Sequence, residues 1–154
     1  TPLLRRALPL SRRDGFALRG SRVMASLPDL LLRYRWAVGL LAIVLSAVTW
    51  GVDLAEIVYQ CPYWRVQRTV IGLLGVILLL PWYGHWLARY VAAVLAVFGL
   101  QVAGAQHFMG WAKISGGKFE WGEMWYINPW MLSGFALFII TALVLLIWRG
   151  RPAG

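Results

Sequence analysis

The stretch QCPYWRVQRTVIG, Gln60 to Gly72, gathers most of the side chains in this chain that could do chemistry. Cys61 is the single cysteine. Pro62 directly after it marks a helix start, because proline is favoured at the first helical position, and Cys61 then falls at the N-cap. From there Cys61, Trp64 and Arg68 follow i, i+3, i+7 spacing and share a helical face. A cysteine at a helix N-terminus beside Arg65 or Arg68 is a candidate reactive thiolate. The other reading is a small, semi-buried apolar residue. Arg68 lies about one turn inside an apolar run, where a charge is costly unless it is paired or faces a cavity. Two readings are open for it: a functional site, or a structural role in which it snorkels outward or pairs with Asp53 or Glu56.

The two histidines do not make a haem site. His85 and His107 bracket one apolar stretch and are 22 residues apart, which at about 1.5 Å per helical residue puts them on opposite sides of a membrane. His107 falls level with Arg68 and Cys61; a ligand contact and a merely satisfied interfacial ring are both open. His85 reads as interfacial. One cysteine excludes an intramolecular disulfide and any multi-cysteine metal site within these residues, so neither metal nor haem is expected. No Ser/His/Asp set, phosphate loop or glycosidase-like carboxylate pair is present, and Gly116 and Gly117 mark only a turn.

The elements that must position these residues are apolar. With 60% hydrophobic and 14% charged residues among 154, and a mean hydropathy of +0.66, the chain needs lipid. Four stretches can cross a bilayer: Trp36 onward, continuing past Asp53 and Glu56 toward Tyr59; about Val66 to Trp82; about Trp86 to Phe108; and Pro129 to Trp148. The second is short and needs its flanking residues at the interface. Tryptophans near the ends of these stretches read as interfacial belts. No strand pattern or repeat is present, so the expected fold is all-α, an integral membrane four-helix bundle.

Charge sets the expected topology. The net +9 is concentrated in residues 1–35, where eight arginines face only Asp14 and Asp29. Basic residues flanking an apolar block mark the cytoplasmic side, so both ends are expected inside, with Gln60 to Arg65 and residues 109–128 as the external connections. The organisation is then a basic arm over 1–35, a transmembrane domain over 36–148 and a short tail over 149–154. Residues 1–23 read as a leader or as a basic arm on anionic lipid. These arginines have no folded module behind them, which argues against nucleic acid as a partner.

CPYWRVQR, Cys61 to Arg68, resembles the C-x-x-C-x-x-Q-R signature that opens the second span in the bacterial disulfide bond formation protein B (DsbB) family. AGAQHFMGW, residues 103–111, is similar to the end of that family's third span, and INPWMLSGFALFIITALVLL, residues 127–146, to its fourth. The resemblance implies a multi-pass protein of the bacterial inner membrane in which electrons pass from a periplasmic thiol carrier, through two cysteine pairs, to a quinone. It maps Cys61 onto the first signature cysteine, Arg68 onto the quinone-side arginine and His107 onto a histidine near the quinone. Gln67 would assist and Trp64 would form an apolar wall. Trp64 stands at the resolving-cysteine position, and residues 109–128 contain no cysteine. A dithiol cycle needs one thiolate to attack and a second to release the mixed disulfide. The expectation is therefore a quinone or lipid pocket without a self-contained thiol relay. An accessory subunit of a larger membrane complex is the alternative. A second alternative is an oxidoreductase that uses Cys61 together with cysteines from a partner.

Overall fold

The computed structural model describes residues 27–57, 61–122 and 124–150; the expected leader, 1–23, lies outside them. The described residues contain five α-helical segments and no strand. The chain divides after Arg33. Before that point residues 27–33 are helical (α1), within the stretch expected to be a basic arm. After it come α2 (Arg35–Leu54), α3 (Pro62–Leu79), α4 (Trp86–Ser115), a 3-10 turn (Trp125–Ile127) and α5 (Pro129–Arg149). Three of these, α2, α4 and α5, are long and apolar enough to cross a membrane. The 18 residues of α3 include Arg65, Gln67 and Arg68 in their first half, which leaves it less apolar than the other three.

Local chemistry explains most of the borders. Cys61 is the extended N-cap of α3 with Pro62 at the first helical position, where the missing proline N–H costs nothing. The helix stops at Leu79 because Leu80, in extended conformation, precedes Pro81. Asn128 caps α5 by accepting from the Trp130 N–H at 2.9 Å, again with proline behind it. His85 caps α4 by accepting from Leu87 N.

Two borders differ from the sequence reading. Helix α4 continues seven residues past Phe108, because MGWAKIS contains nothing that ends a helix. It closes at Gly116 and Gly117, where Gly117 adopts φ 65° and the N–H groups of Gly117 and Lys118 bond back to Ile114 O and Lys113 O. Helix α2 stops at Leu54, short of Tyr59, through the same pair of bonds: Glu56 N to Asp53 O and Ile57 N to Val52 O. Here the left-handed residue is Glu56, at φ 55°. That is a rare conformation for a residue with a side chain, and no sequence rule anticipates it.

The helices run in alternating directions. Among the described residues, α3 touches α2, α4 and α5, whereas α2 packs on α3 alone. On α4 small residues make the contacts, against the larger Val70, Leu74, Ile140 and Ile147 of α3 and α5. The buried stripe of α4 is Ala88, Ala92, Ala96, Gly99, Ala103, Gln106 and Gly110, while Val94, Val97, Phe98 and Phe108 face outward. Small residues inside and large apolar ones outside is the arrangement expected when the solvent is lipid, since burying leucine between helices gains little there. At the α2/α3 crossing the backbones come so close that a Cβ on Gly75 would stand 2.8 Å from Gly39 O and 2.9 Å from the Ala42 Cβ. At one end, Arg35 donates to the Leu78 and Leu80 carbonyls at 2.8 and 3.3 Å, and Arg89 donates to Gly150 O. Each arginine thereby satisfies carbonyls at the C-terminus of the helix that follows its own.

This packing predicts a contrast between two glycines. Gly75→Leu should destabilise the fold by about 2–3 kcal/mol, because the α2 backbone cannot yield without opening the crossing. Gly104→Ala, where an added Cβ meets nothing within 4 Å, should be neutral or stabilising by up to about 1 kcal/mol. Equilibrium unfolding in detergent measures both, and equal effects would contradict the close crossing.

Candidate functional site

Among the described residues, the buried polar groups gather at the end of the bundle where α2 stops and α3 begins. Arg68 is 8% exposed and Asp53 is fully buried, at the end of α2. Arg68 Nε donates to Trp64 O at 3.1 Å, one Nη donates to Thr49 O, and the other lies 3.6 Å from Asp53 Oδ1. Arg65 takes the second carboxylate oxygen at 2.8 Å. The Trp50 ring lies beneath both guanidinium groups, at 5.3 Å from Arg68 and 5.8 Å from Arg65, and its Nε1 donates to Thr69. Two cations thus share one buried carboxylate, with an indole face supplying further negative potential. Of the alternatives open for Arg68, pairing with Asp53 is present.

Beside this cluster is a cavity of about 440 Å³, in the cleft left between α2 and α5 where they do not touch. Its polar end is Arg68, Gln67, Thr49 and Ser46, with Trp64 in the wall; the rest is apolar, from Leu45 on α2 to Leu132, Phe135 and Ile139 on α5. Trp64 Nε1 is buried without a hydrogen-bond partner. Gln67, 4% exposed, donates from Nε2 to Gln106 Oε1 at 2.7 Å, and its Oε1 makes no hydrogen bond. The cavity is therefore bordered by Trp64, by the Gln67 amide and by a guanidinium, next to an apolar slot. That is the make-up of a site for an amphiphile with a compact polar head.

A second, outer cavity, of about 710 Å³, lies nearer the same end of the bundle, beneath the connection between α4 and α5. Cys61 lines this one, and it is a free, half-buried thiol. Although its spacing matches Trp64 and Arg68, the N-cap residue has extended backbone, so its side chain is not in phase with the helical face that follows. Gln67 and Gln106 form part of the division: the first lines the inner cavity, the second the outer one.

His107 lines neither cavity. It sits between α4 and α5, stacked on Trp130 with ring centres 5.2 Å apart, and its Nδ1 is 3.0 Å from Trp130 O and 3.2 Å from Ser133 Oγ. A carbonyl oxygen only accepts, so Nδ1 carries the proton. Trp64, Gln67 and Arg68 thus come together, Cys61 opens to the neighbouring space, and His107 belongs to a helix contact. Among the described residues no cluster of three or more His, Cys, Asp or Glu side chains suits a metal ion.

Two participants were missed in the sequence. Trp50 read as a belt residue but underlies the arginines. Gln106 went unremarked, although an amide inside an apolar helix needs a partner and so is itself a signal. No protein-family model matches the chain, and no curated protein or solved structure matches it either.

The shared carboxylate predicts an unequal response to substitution. Asp53→Asn leaves Arg68 buried without its counter-charge and should cost about 3–5 kcal/mol of stability. Arg65→Gln removes the more exposed partner and should cost under about 1 kcal/mol. Comparable losses in detergent unfolding would contradict this division of roles.

Proposed function

We propose that this chain is a four-span membrane protein of the DsbB type, with both ends on the cytoplasmic side of a bacterial inner membrane, and that its inner cavity binds a quinone-type amphiphile. In this reading α3 is the fourth crossing. Arg68 tolerates the position because protein surrounds it, and Arg65 because it pairs with Asp53 near the end of the helix. The observation that carries the proposal is the cleft between α2 and α5: an apolar slot ending at Arg68, Gln67 and the unpartnered Trp64 N–H. A quinone carbonyl would accept from Trp64 Nε1 or from Arg68, and a quinol hydroxyl would donate to Gln67 Oε1. The isoprenoid or alkyl tail would lie along Leu45, Phe135 and Ile139.

The chain holds one cysteine, so a dithiol relay to that quinone would require sulfur from elsewhere. The role proposed is binding, without self-contained thiol oxidation. Cys61 lines the outer cavity as a half-buried thiol, where a cysteine from a partner protein could reach it. One observation favours the accessory-subunit reading: α2 packs on α3 alone, which leaves Leu40, Leu41, Val44 and Val48 exposed to lipid or to another membrane helix.

Titration of the full chain in nanodiscs with decylubiquinone tests the proposal. One equivalent should bind and quench tryptophan fluorescence, and Trp64→Phe should weaken binding about three- to tenfold, the effect of one lost neutral hydrogen bond. Quinone reduction should not accompany addition of a dithiol substrate. Absence of quinone binding, together with stoichiometric copurification of another membrane protein, would favour the accessory subunit. Coupled dithiol oxidation by the purified chain alone would overturn the binding-only role.

A further inference from the structure

The outer cavity is built differently from the inner one. At about 710 Å³ it falls within the range of about 300–1,000 Å³ typical of small-molecule sites. Gln106 lines it and is only 5% exposed; with Oε1 accepting from Gln67, its Nε2 keeps N–H groups free to donate. Trp130 forms another part of the wall, and its Nε1 is buried with no acceptor. Asn128, also in the wall, leaves no acceptor to answer them. Its Oδ1 takes the Trp130 N–H, and its Nδ2 donates to Glu120 O and Trp121 O at 3.1 Å each. Apart from the Glu120 carboxylate, the side chains of this wall thus offer mainly donors, and the buried Trp130 N–H left unmatched costs about 1–3 kcal/mol.

Charge and depth narrow the ligand. Lys113 and Lys118 both line this space, and Glu120 is the one acidic residue among the described lining. The bond from Lys118 N to Lys113 O, made as the chain turns through Gly117, brings the two backbone positions together at the end of α4. At about 1.5 Å per residue the 30-residue α4 is about 45 Å long, against a hydrocarbon core of about 30 Å. With Trp86 at one interface, its last turns, from Gln106 to Ser115, fall at headgroup depth on the other side. There exposed Trp111 and Trp121 stand at the level typical of interfacial indoles.

We propose that the outer cavity is a binding site for the phosphate headgroup of an anionic phospholipid, with the phosphate oxygens accepting from Gln106 and from the ammonium groups of Lys113 and Lys118, and the glycerol and acyl carbonyls lying against Trp130. The site is separate from the inner cavity and does not depend on what occupies it. By holding the turn after α4 against Trp130, a lipid seated here fixes the connection over Cys61.

Native mass spectrometry of the full chain, released from a micelle of uncharged detergent, tests this with three probes: dihexanoyl phosphatidylglycerol, dihexanoyl phosphatidylcholine and glycerol 1-phosphate. The phosphatidylglycerol should bind one per chain and at least tenfold more tightly than the phosphatidylcholine. The surface double variant Lys113→Gln/Lys118→Gln should abolish that preference. Gln106→Leu should weaken the phosphatidylglycerol about tenfold, whereas Trp64→Phe, in the inner cavity, should leave it unchanged. Equal binding of the two lipids, or a lysine double variant that behaves as the parent, would overturn the proposal. Glycerol 1-phosphate bound as tightly as the lipid would overturn the lipid as occupant, in favour of a free phosphoanion.

Discussion

A guanidinium held inside an apolar helix must be paid for, and the way Arg68 is satisfied sets the geometry around it. Its donors reach one carbonyl on its own helix and one on α2, and its remaining Nη forms an ion pair at 3.6 Å with the buried carboxylate of Asp53 at the end of α2. Those last two links join α2 to α3 in a fixed register, and a bond from Ser46 Oγ to the Arg68 carbonyl at 2.8 Å adds a third. In low dielectric each interaction is strong, and each partner would be costly to leave alone. The polar cluster therefore fixes where α2 lies, and the glycine crossing at Gly39 and Gly75 fixes how closely it lies there.

The cleft follows from that register. Helix α2 is bound so fully to α3 that it does not reach α5, and the space between them becomes the inner cavity. The same residues that secure the helix pair thus supply the polar end of the slot. Arg68 has structural partners on three sides, so a ligand there would meet an oriented guanidinium with little freedom left to lose. The Gln67 and Gln106 amides, joined at 2.7 Å, do comparable work between α3 and α4, each residue lining its own cavity. A polar pair inside an apolar bundle serves in this way both to hold two helices and to divide two binding spaces.

Much of this was legible in residue types and spacing. Proline after Cys61 and after Asn128 marks true helix starts, and the apolar stretches find their helices to within a few residues except at two ends. Those ends were hidden for different reasons. Residues 109–115 read as part of an external connection, but the helix continues through them, because a charge such as Lys113 does not break a helix. Glu56 adopts the left-handed conformation that closes α2, which composition cannot foresee. The grouping of Trp64, Gln67 and Arg68 follows from helical phase, but Cys61 escapes it by being the cap. The separate place of His107 depends on which face of α4 meets α5, and that was settled by the small-residue stripe ending at Gln106 and Gly110. Helical periodicity within one element was readable; the side toward which each helix turns its few polar groups required the tertiary contacts.

The central claim is that the cleft between α2 and α5 takes a quinone-type head at Arg68. Photolabelling with an azido-quinone in nanodiscs, followed by peptide mapping, tests it most directly. The account predicts adducts confined to Leu45–Val52 on α2, Trp64–Ile71 on α3 and Leu132–Ile139 on α5, competed away by unlabelled quinone. Adducts spread over the outward faces of α4 and α5, or insensitive to competitor, would contradict it.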